Sequence, residues 1–143
     1  MTIFDKTLQF SDAQAITATA VSTNVVDMGA MGTVKGNSAA MVQELAPGSG
    51  IPLLVQVTET FATLTSLAIN IQSSADEAFT SPNTIQLASI AAADLVAGKR
   101  TPFHTPPEGL SGGYWRMQYV VTGSDATAGK ITAGVVAAVD AGK

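Results

Sequence analysis

The chain has 143 residues, a length that fits a single domain with one hydrophobic core. It contains no cysteine, which excludes disulfide scaffolds, thiolate nucleophiles and cysteine-based zinc sites. Its formal net charge of −4 at pH 7 argues against sequence-independent nucleic-acid binding, which needs clustered Lys and Arg. We therefore predict one domain over residues 1–143, with no direct nucleic-acid partner.

The N-terminal segment, residues 3–10, has four large apolar side chains and two interpretations. It is either the first strand of the protein's own sheet or part of an extended arm, residues 1–12, that adds a strand to a neighbour. No apolar run in the chain reaches the ~18 residues of a membrane span, and the N-terminus lacks the features of a secretory signal, so no membrane partner is expected. The candidate interface residues of this segment are Ile3, Phe4, Leu8 and Phe10.

The middle of the chain is dominated by apolar and polar residues in alternation, which is typical of half-buried strands. Residues 53–60 and 67–72 show this pattern. Residues 89–96 are Ala-rich and fit either one helical turn or a strand end. Weaker strands are predicted at residues 15–22, 25–28, 39–45, 84–88 and 100–105.

Alternation returns near the C-terminus in residues 114–122 and 130–139. The segment between them, residues 123–129, consists of turn-forming residues, so the pattern predicts an antiparallel hairpin. Within residues 114–122, Trp115, Met117 and Tyr119 lie on the apolar face and are predicted to be core. Tyr114 and Arg116 lie on the opposite face and form the best candidate interface patch.

Eight or nine short strands separated by Gly- and Pro-rich turns indicate an all-β fold. We predict a jelly-roll-like antiparallel β-sandwich of about eight strands.

Side chains that could support catalysis or metal binding are few and scattered. His104 is the single histidine and has no partner in the sequence, and Asp76-Glu77 fit a charged loop better than a calcium site. Lys99-Arg100 fit a solvated turn. Gly129-Lys130 fail the phosphate-binding loop motif at two positions. We therefore expect no enzyme, catalytic residue, metal or cofactor.

Several blocks of sequence carry a family resemblance. The most specific is LQFSDAQAITATA at residues 8–20 with STNVVD at 22–27, and the others are AFTSP at 78–82, YWRMQY at 114–119 and AGKITAG at 128–134. The chain resembles the small jelly-roll capsid cement, or decoration, proteins of tailed bacteriophages, of the kind known from a Bordetella phage. The resemblance implies a homo-oligomer, dimer or trimer, on the outer surface of an icosahedral phage head, where it clamps neighbouring major capsid proteins.

Composition agrees with that expectation. Only 13% of the residues are charged, and neutral polar side chains can be buried against a partner without the desolvation cost of an ion. We expect a capsid cement protein located on the virion. The alternative is a carbohydrate- or receptor-binding β-sandwich, which requires exposed aromatic side chains.

Overall fold

The computed structural model describes residues 3–29, 32–41, 50–103 and 108–137. Within these ranges the chain forms seven antiparallel strands and one 3₁₀ turn, Ala92–Asp94. Among the described residues, no helix has the length and apolar character needed to span a bilayer. The strands are β1 (Phe4–Ala15), β2 (Ala20–Val21), β3 (Val26–Asp27), β4 (Leu53–Ser74), β5 (Asn83–Ala91), β6 (Arg100–Phe103) and β7 (Tyr114–Val136).

Two long strands, β4 and β7, form the centre of the fold. They pair antiparallel along almost their full length, from Leu53 opposite Val135 to Ser74 opposite Tyr114. β1, β2 and β3 follow one another along the free side of β7, while β6 and β5 pair with the first and last parts of β4. All seven strands are therefore joined by hydrogen bonds in one sheet.

This sheet folds back on itself. Ser11 pairs with Ala133 near the end of β7, yet its hydroxyl lies 2.8 Å from the hydroxyl of Tyr119. Tyr119 and Ala133 are fourteen residues apart, which a straight strand would separate by roughly 45 Å. β7 must therefore bend sharply between them, and β4 bends with it.

The bend lies where the β4–β7 register is interrupted. Four register shifts occur between Val57 and Ser66, and the backbone there includes the positive φ angles of Thr63, Gly123 and Gly129. Bulges of this kind increase local twist and let a strand change direction. Thr63 secures the bend, since its hydroxyl contacts the backbone of residues 125 and 127 on β7.

The bend creates two layers that share one core. One layer contains β1, β6 and the adjoining halves of β4 and β7, and the other contains β2, β3, β5 and the remaining halves. Apolar side chains from both layers form a single buried cluster, including Val55, Ile131, Leu67, Ile69 and Met117. The predicted all-β antiparallel sandwich is confirmed, in the form of one folded sheet of seven strands.

Several sequence-based expectations need correction. The predicted hairpin between residues 114–122 and 130–139 is wrong, because residues 114–122 and 130–136 both belong to β7 and each of these stretches pairs with β4, while residues 138 and 139 lie outside the described residues. Both halves of β7 pair with β4 on one side, and with β1, β2 or β3 on the other. Residues 53–60 and 67–72 are likewise parts of one strand, β4. Residues 89–96 contain both of the predicted structures, a strand end and one helical turn, because β5 ends at Ala91 and the 3₁₀ turn follows directly.

The weaker strands are recovered in part. Residues 84–88 and residues 100–103 are in strands, and residues 15–22 and 25–28 contain only the end of β1 and the short β2 and β3. Most of the predicted strand at 39–45 lies outside the described residues.

A buried hydrogen bond joins the two layers at Tyr119, which is fully buried. The hydroxyl of Ser11 donates to Gln14 Oε1 at 2.7 Å, so Tyr119 supplies the proton of the 2.8 Å contact with Ser11. Tyr119→Phe should therefore leave a buried acceptor without its donor and lower the free energy of unfolding by about 1–2 kcal/mol. Urea denaturation followed by Trp115 fluorescence measures this loss, and equal stability of the two proteins would contradict it.

The same tyrosine gives the protein a pH dependence above neutrality. Desolvation by burial raises the pKa of Tyr119 above its ordinary value of 10.0. Above about pH 10 the unfolded chain therefore releases a proton that the folded chain retains, and stability falls as pH rises. Tyr119→Phe should show a shallower decline between pH 9.5 and 11.5 in denaturation curves, and parallel declines would contradict the assignment.

Candidate interaction surface

The surface around Tyr114 and Arg116 arises from alternation along the first half of β7. Trp115 and Met117 point into the core, with 4% and 0% of their surfaces exposed. Tyr114, Arg116 and Gln118 therefore point away from the core, and all three are half-buried. The sequence-based separation of Tyr114 and Arg116 from the core aromatic residues is confirmed.

Side chains on β4 and β5 extend this outer surface. Arg116 lies opposite Gln72 and Gln118 opposite Asn70 in the β4–β7 ladder, and Gln72 in turn lies opposite Thr84 on β5. Hydrogen bonds connect them: Asn70 Nδ2 donates to Gln118 Oε1 at 3.0 Å, and Gln72 Nε2 donates to Thr84 Oγ1 at 2.9 Å. We call the surface formed by Tyr114, Arg116, Gln118, Asn70, Gln72 and Thr84 the amide face.

The amide face is built mainly of neutral hydrogen-bonding groups, and Arg116 is its one charged member. Asn70 Oδ1 is buried and accepts no hydrogen bond from any described residue. Gln72 is only 4% exposed because Arg116 and Thr84 bond to its amide. The polar side chains of this face are thus held in fixed positions by one another.

Arg116 is the most constrained of them. Its Nε donates to Gln72 Oε1 at 2.7 Å, and its guanidinium carbon lies 4.1 Å from the centre of the Phe79 ring. A guanidinium over an aromatic face gains electrostatic attraction and loses rotational freedom. Desolvation by burial lowers the pKa of Arg116, but an arginine remains charged at neutral pH.

Phe79 comes from the loop between β4 and β5 and was not identified as a surface determinant by sequence. It is 5% exposed and has a φ of 53°, and it lies outside the main core cluster. Asp76 organises this loop by accepting hydrogen bonds from the Thr80 backbone and the Ser74 hydroxyl. The hydrogen bond from the Thr80 backbone is the largest cause of the lowered pKa of Asp76. Asp76 and Glu77 are both exposed in this loop, as the sequence predicted.

The N-terminal segment forms β1 and not a free arm in this structure. Phe4 pairs with Val136, and Phe10 is 2% exposed within the core. Leu8 is partly buried against the same core. A partner could therefore reach Phe10 only if β1 left the sheet.

Ile3 differs from the other residues of this segment because 62% of its surface is exposed. It lies beside a groove of about 330 Å³ that is lined by Ile3, Phe4, Asp5, Val135, Val136 and Ala137. No hydrogen bond or ring contact among the described residues connects this groove with the amide face. The six candidate interface residues thus occupy two separate places on the fold.

The remaining candidates of the sequence have simple placements. Lys99 and Arg100 are exposed in a turn and at the start of β6. Lys130 lies within β7 and pairs with Glu59 at 2.8 Å, far from any phosphate-loop geometry. His104 lies outside the described residues. In the described part of the chain, no three His, Asp or Glu side chains come together as metal ligands.

Comparison with known proteins assigns the chain to a family. A search of curated proteins finds no match. A scan against models of protein families matches residues 10–135 to Bbp16. The matched range includes the whole amide face and begins at Phe10, after the groove residues of the N-terminal segment. Because the match covers well over half of its length, the chain belongs to the Bbp16 family, whose name is that of a Bordetella phage protein.

Proposed function

We propose that this protein is a capsid cement protein that binds the outer surface of an icosahedral phage head and stabilises contacts between major capsid proteins. Membership of a phage protein family carries the proposal, and the amide face supports it. A homo-oligomeric state on the virion surface, and the absence of enzymatic activity, are parts of the same proposal. No cofactor is needed for this function.

The chemistry of the amide face suits repeated burial against protein. Neutral amides and hydroxyls exchange hydrogen bonds with water for hydrogen bonds with a partner at little cost, whereas buried ions require full compensation. Because most of these side chains are already held by hydrogen bonds, little rotamer entropy is lost on docking. Many such contacts around one shell would add up to tight binding through avidity.

The mechanism of stabilisation is mass action. A protein that binds the assembled shell but not its separated subunits shifts the equilibrium toward the shell by its binding free energy. Co-sedimentation of the purified protein with cognate mature capsids that lack it tests this directly. Saturable binding with a fixed number of copies per capsid is expected, and no binding by the folded protein would contradict the proposal.

The exposed Ile3 provides a second prediction for the same assay. If a capsid protein covers the groove beside Ile3, burial of this side chain adds hydrophobic binding energy. Ile3→Ser should then weaken capsid binding by about tenfold while the stability of the monomer is unchanged. Val96→Ser, at a 47% exposed side chain elsewhere on the surface, is the control. Equal affinity of both variants would exclude Ile3 from the interface.

The carbohydrate-binding alternative is less well supported. Stacking on sugar rings requires exposed aromatic faces, but Trp115 and Tyr119 are 4% and 0% exposed. Tyr114 is the one aromatic residue of the amide face. A single half-buried tyrosine makes a poor sugar platform, and binding to a glycan array would be needed to revive this function.

A further inference from the structure

Arg116 has donors that the protein itself does not use. A guanidinium carries five N–H groups, and the one hydrogen bond of Arg116 to another described residue is donated by Nε. Its two Nη atoms are not among the fully buried polar atoms that lack a partner, and the residue as a whole is half-buried. The side chain therefore has up to four N–H donors that no described residue accepts.

No described carboxylate forms an ion pair with Arg116. The ion pairs of the described chain are Lys6 with Asp12 and Lys130 with Glu59, and neither involves Arg116. Asp27, opposite Tyr114 on β3, and Asp76, in the loop that carries Phe79, accept hydrogen bonds from the backbone of Gly29 and Thr80. Arg116 is thus a fixed, half-buried cation that forms no ion pair with any described residue.

We propose that Arg116 binds a carboxylate of an Asp or Glu side chain on the capsid protein that covers the amide face. This inference rests on the proposed function and adds the chemistry of the partner. Ring stacking on Phe79 and the Nε bond to Gln72 hold the guanidinium plane, and the free Nη pair matches the two oxygens of a carboxylate. The surrounding amides then supply neutral hydrogen bonds around a single charged contact.

The geometry favours an arginine in particular. A lysine at position 116 would keep the charge but could neither stack a planar group on Phe79 nor donate two parallel bonds. Arg116→Gln would remove the charge, and Phe79→Leu would keep the charge while removing the ring that orients it. The three variants therefore separate charge from orientation.

The test is capsid co-sedimentation of these variants, with Arg100→Gln as a matched loss of one exposed arginine from β6. Arg116→Gln should weaken binding by at least about tenfold, Arg116→Lys and Phe79→Leu by less, and Arg100→Gln hardly at all. Unfolding curves identify any variant whose loss comes from instability, and affinities are compared only among folded proteins. Binding of the wild-type protein should weaken more steeply with NaCl than binding of Arg116→Gln.

The partner side is tested by converting capsid carboxylates to neutral amides with a carbodiimide and ethanolamine. This treatment should reduce wild-type binding to the level of Arg116→Gln and leave binding of Arg116→Gln nearly unchanged. Equal affinities of Arg116→Gln and Arg100→Gln would overturn the inference while the proposed function stands. A change in oligomeric state of Arg116→Gln without capsids would also overturn it, since the carboxylate would then belong to a second copy. Failure of the wild-type protein to bind capsids would overturn the proposed function itself.

Discussion

Leu67→Ala should lower the free energy of unfolding by about 3–5 kcal/mol, one of the two largest effects expected in this protein. Leu67 is fully buried, and it lies on β4 between Val121 of β7 and Ile90 of β5. Truncation removes its transfer free energy and leaves a cavity in a core that both layers of the sheet share. Urea denaturation with Trp115 fluorescence as the probe measures the change, since Trp115 is the one tryptophan of the chain.

Leu87→Ala is the matched control. It removes the same atoms from the neighbouring strand β5, but Leu87 is only partly buried at the edge of the core. Leu87→Ala should lower the free energy of unfolding by less than about half as much as Leu67→Ala does. Equal losses at the two positions would contradict the assignment of Leu67 to the shared centre of the core.

Gly129→Ala is the second substitution with a large expected effect. Gly129 lies at the bend of β7 with a φ of +139°, and a Cβ atom there would overlap the buried ring of Phe61. The substitution therefore combines backbone strain with displacement of a core side chain. We expect Gly129→Ala to lower the free energy of unfolding, measured by urea denaturation, by about 2–5 kcal/mol.

Gly98→Ala separates the two causes. Gly98 also has a positive φ, +91°, but a Cβ atom there would meet no neighbour within 4 Å. Gly98→Ala should therefore lower the free energy of unfolding only by the cost of backbone strain, about 1–2 kcal/mol. If Gly129→Ala were no more harmful than Gly98→Ala, the bend would not depend on close packing of β7 against Phe61.

Alternation along the sequence identified the faces of the main strands correctly. Trp115, Met117 and Tyr119 are core residues, and Tyr114 and Arg116 lie on the opposite face. This success follows from the two-residue period of a strand, which is local and does not depend on the identity of the pairing strand.

Pairing could not be predicted in the same way. Residues 123–129 have the composition of a turn, yet they continue β7 through a bulged bend. Turn-forming residues permit a change in direction without specifying whether the chain reverses within a sheet or passes from one layer to the other. The choice depends on β4, which is about sixty residues away in sequence and offers each half of β7 a partner.

The candidate surface was predicted only in part. The Tyr114 and Arg116 positions follow from alternation, but the ring that orients Arg116 does not. Phe79 reaches the outer face from a loop, where no periodic pattern indicates the direction of a side chain. The apolar N-terminal residues were ambiguous because an edge strand and a binding arm have the same composition, and the structure places Phe10 in the core.

The most direct measurement of the proposed cement function is the temperature at which DNA-filled capsids rupture, with and without the protein added back to shells that lack it. A protein that binds only the assembled shell must raise this temperature in proportion to occupancy, up to saturation. The proposed function predicts such a rise for the wild-type protein. An unchanged rupture temperature at full occupancy would contradict it and leave a capsid-binding protein without a stabilising role.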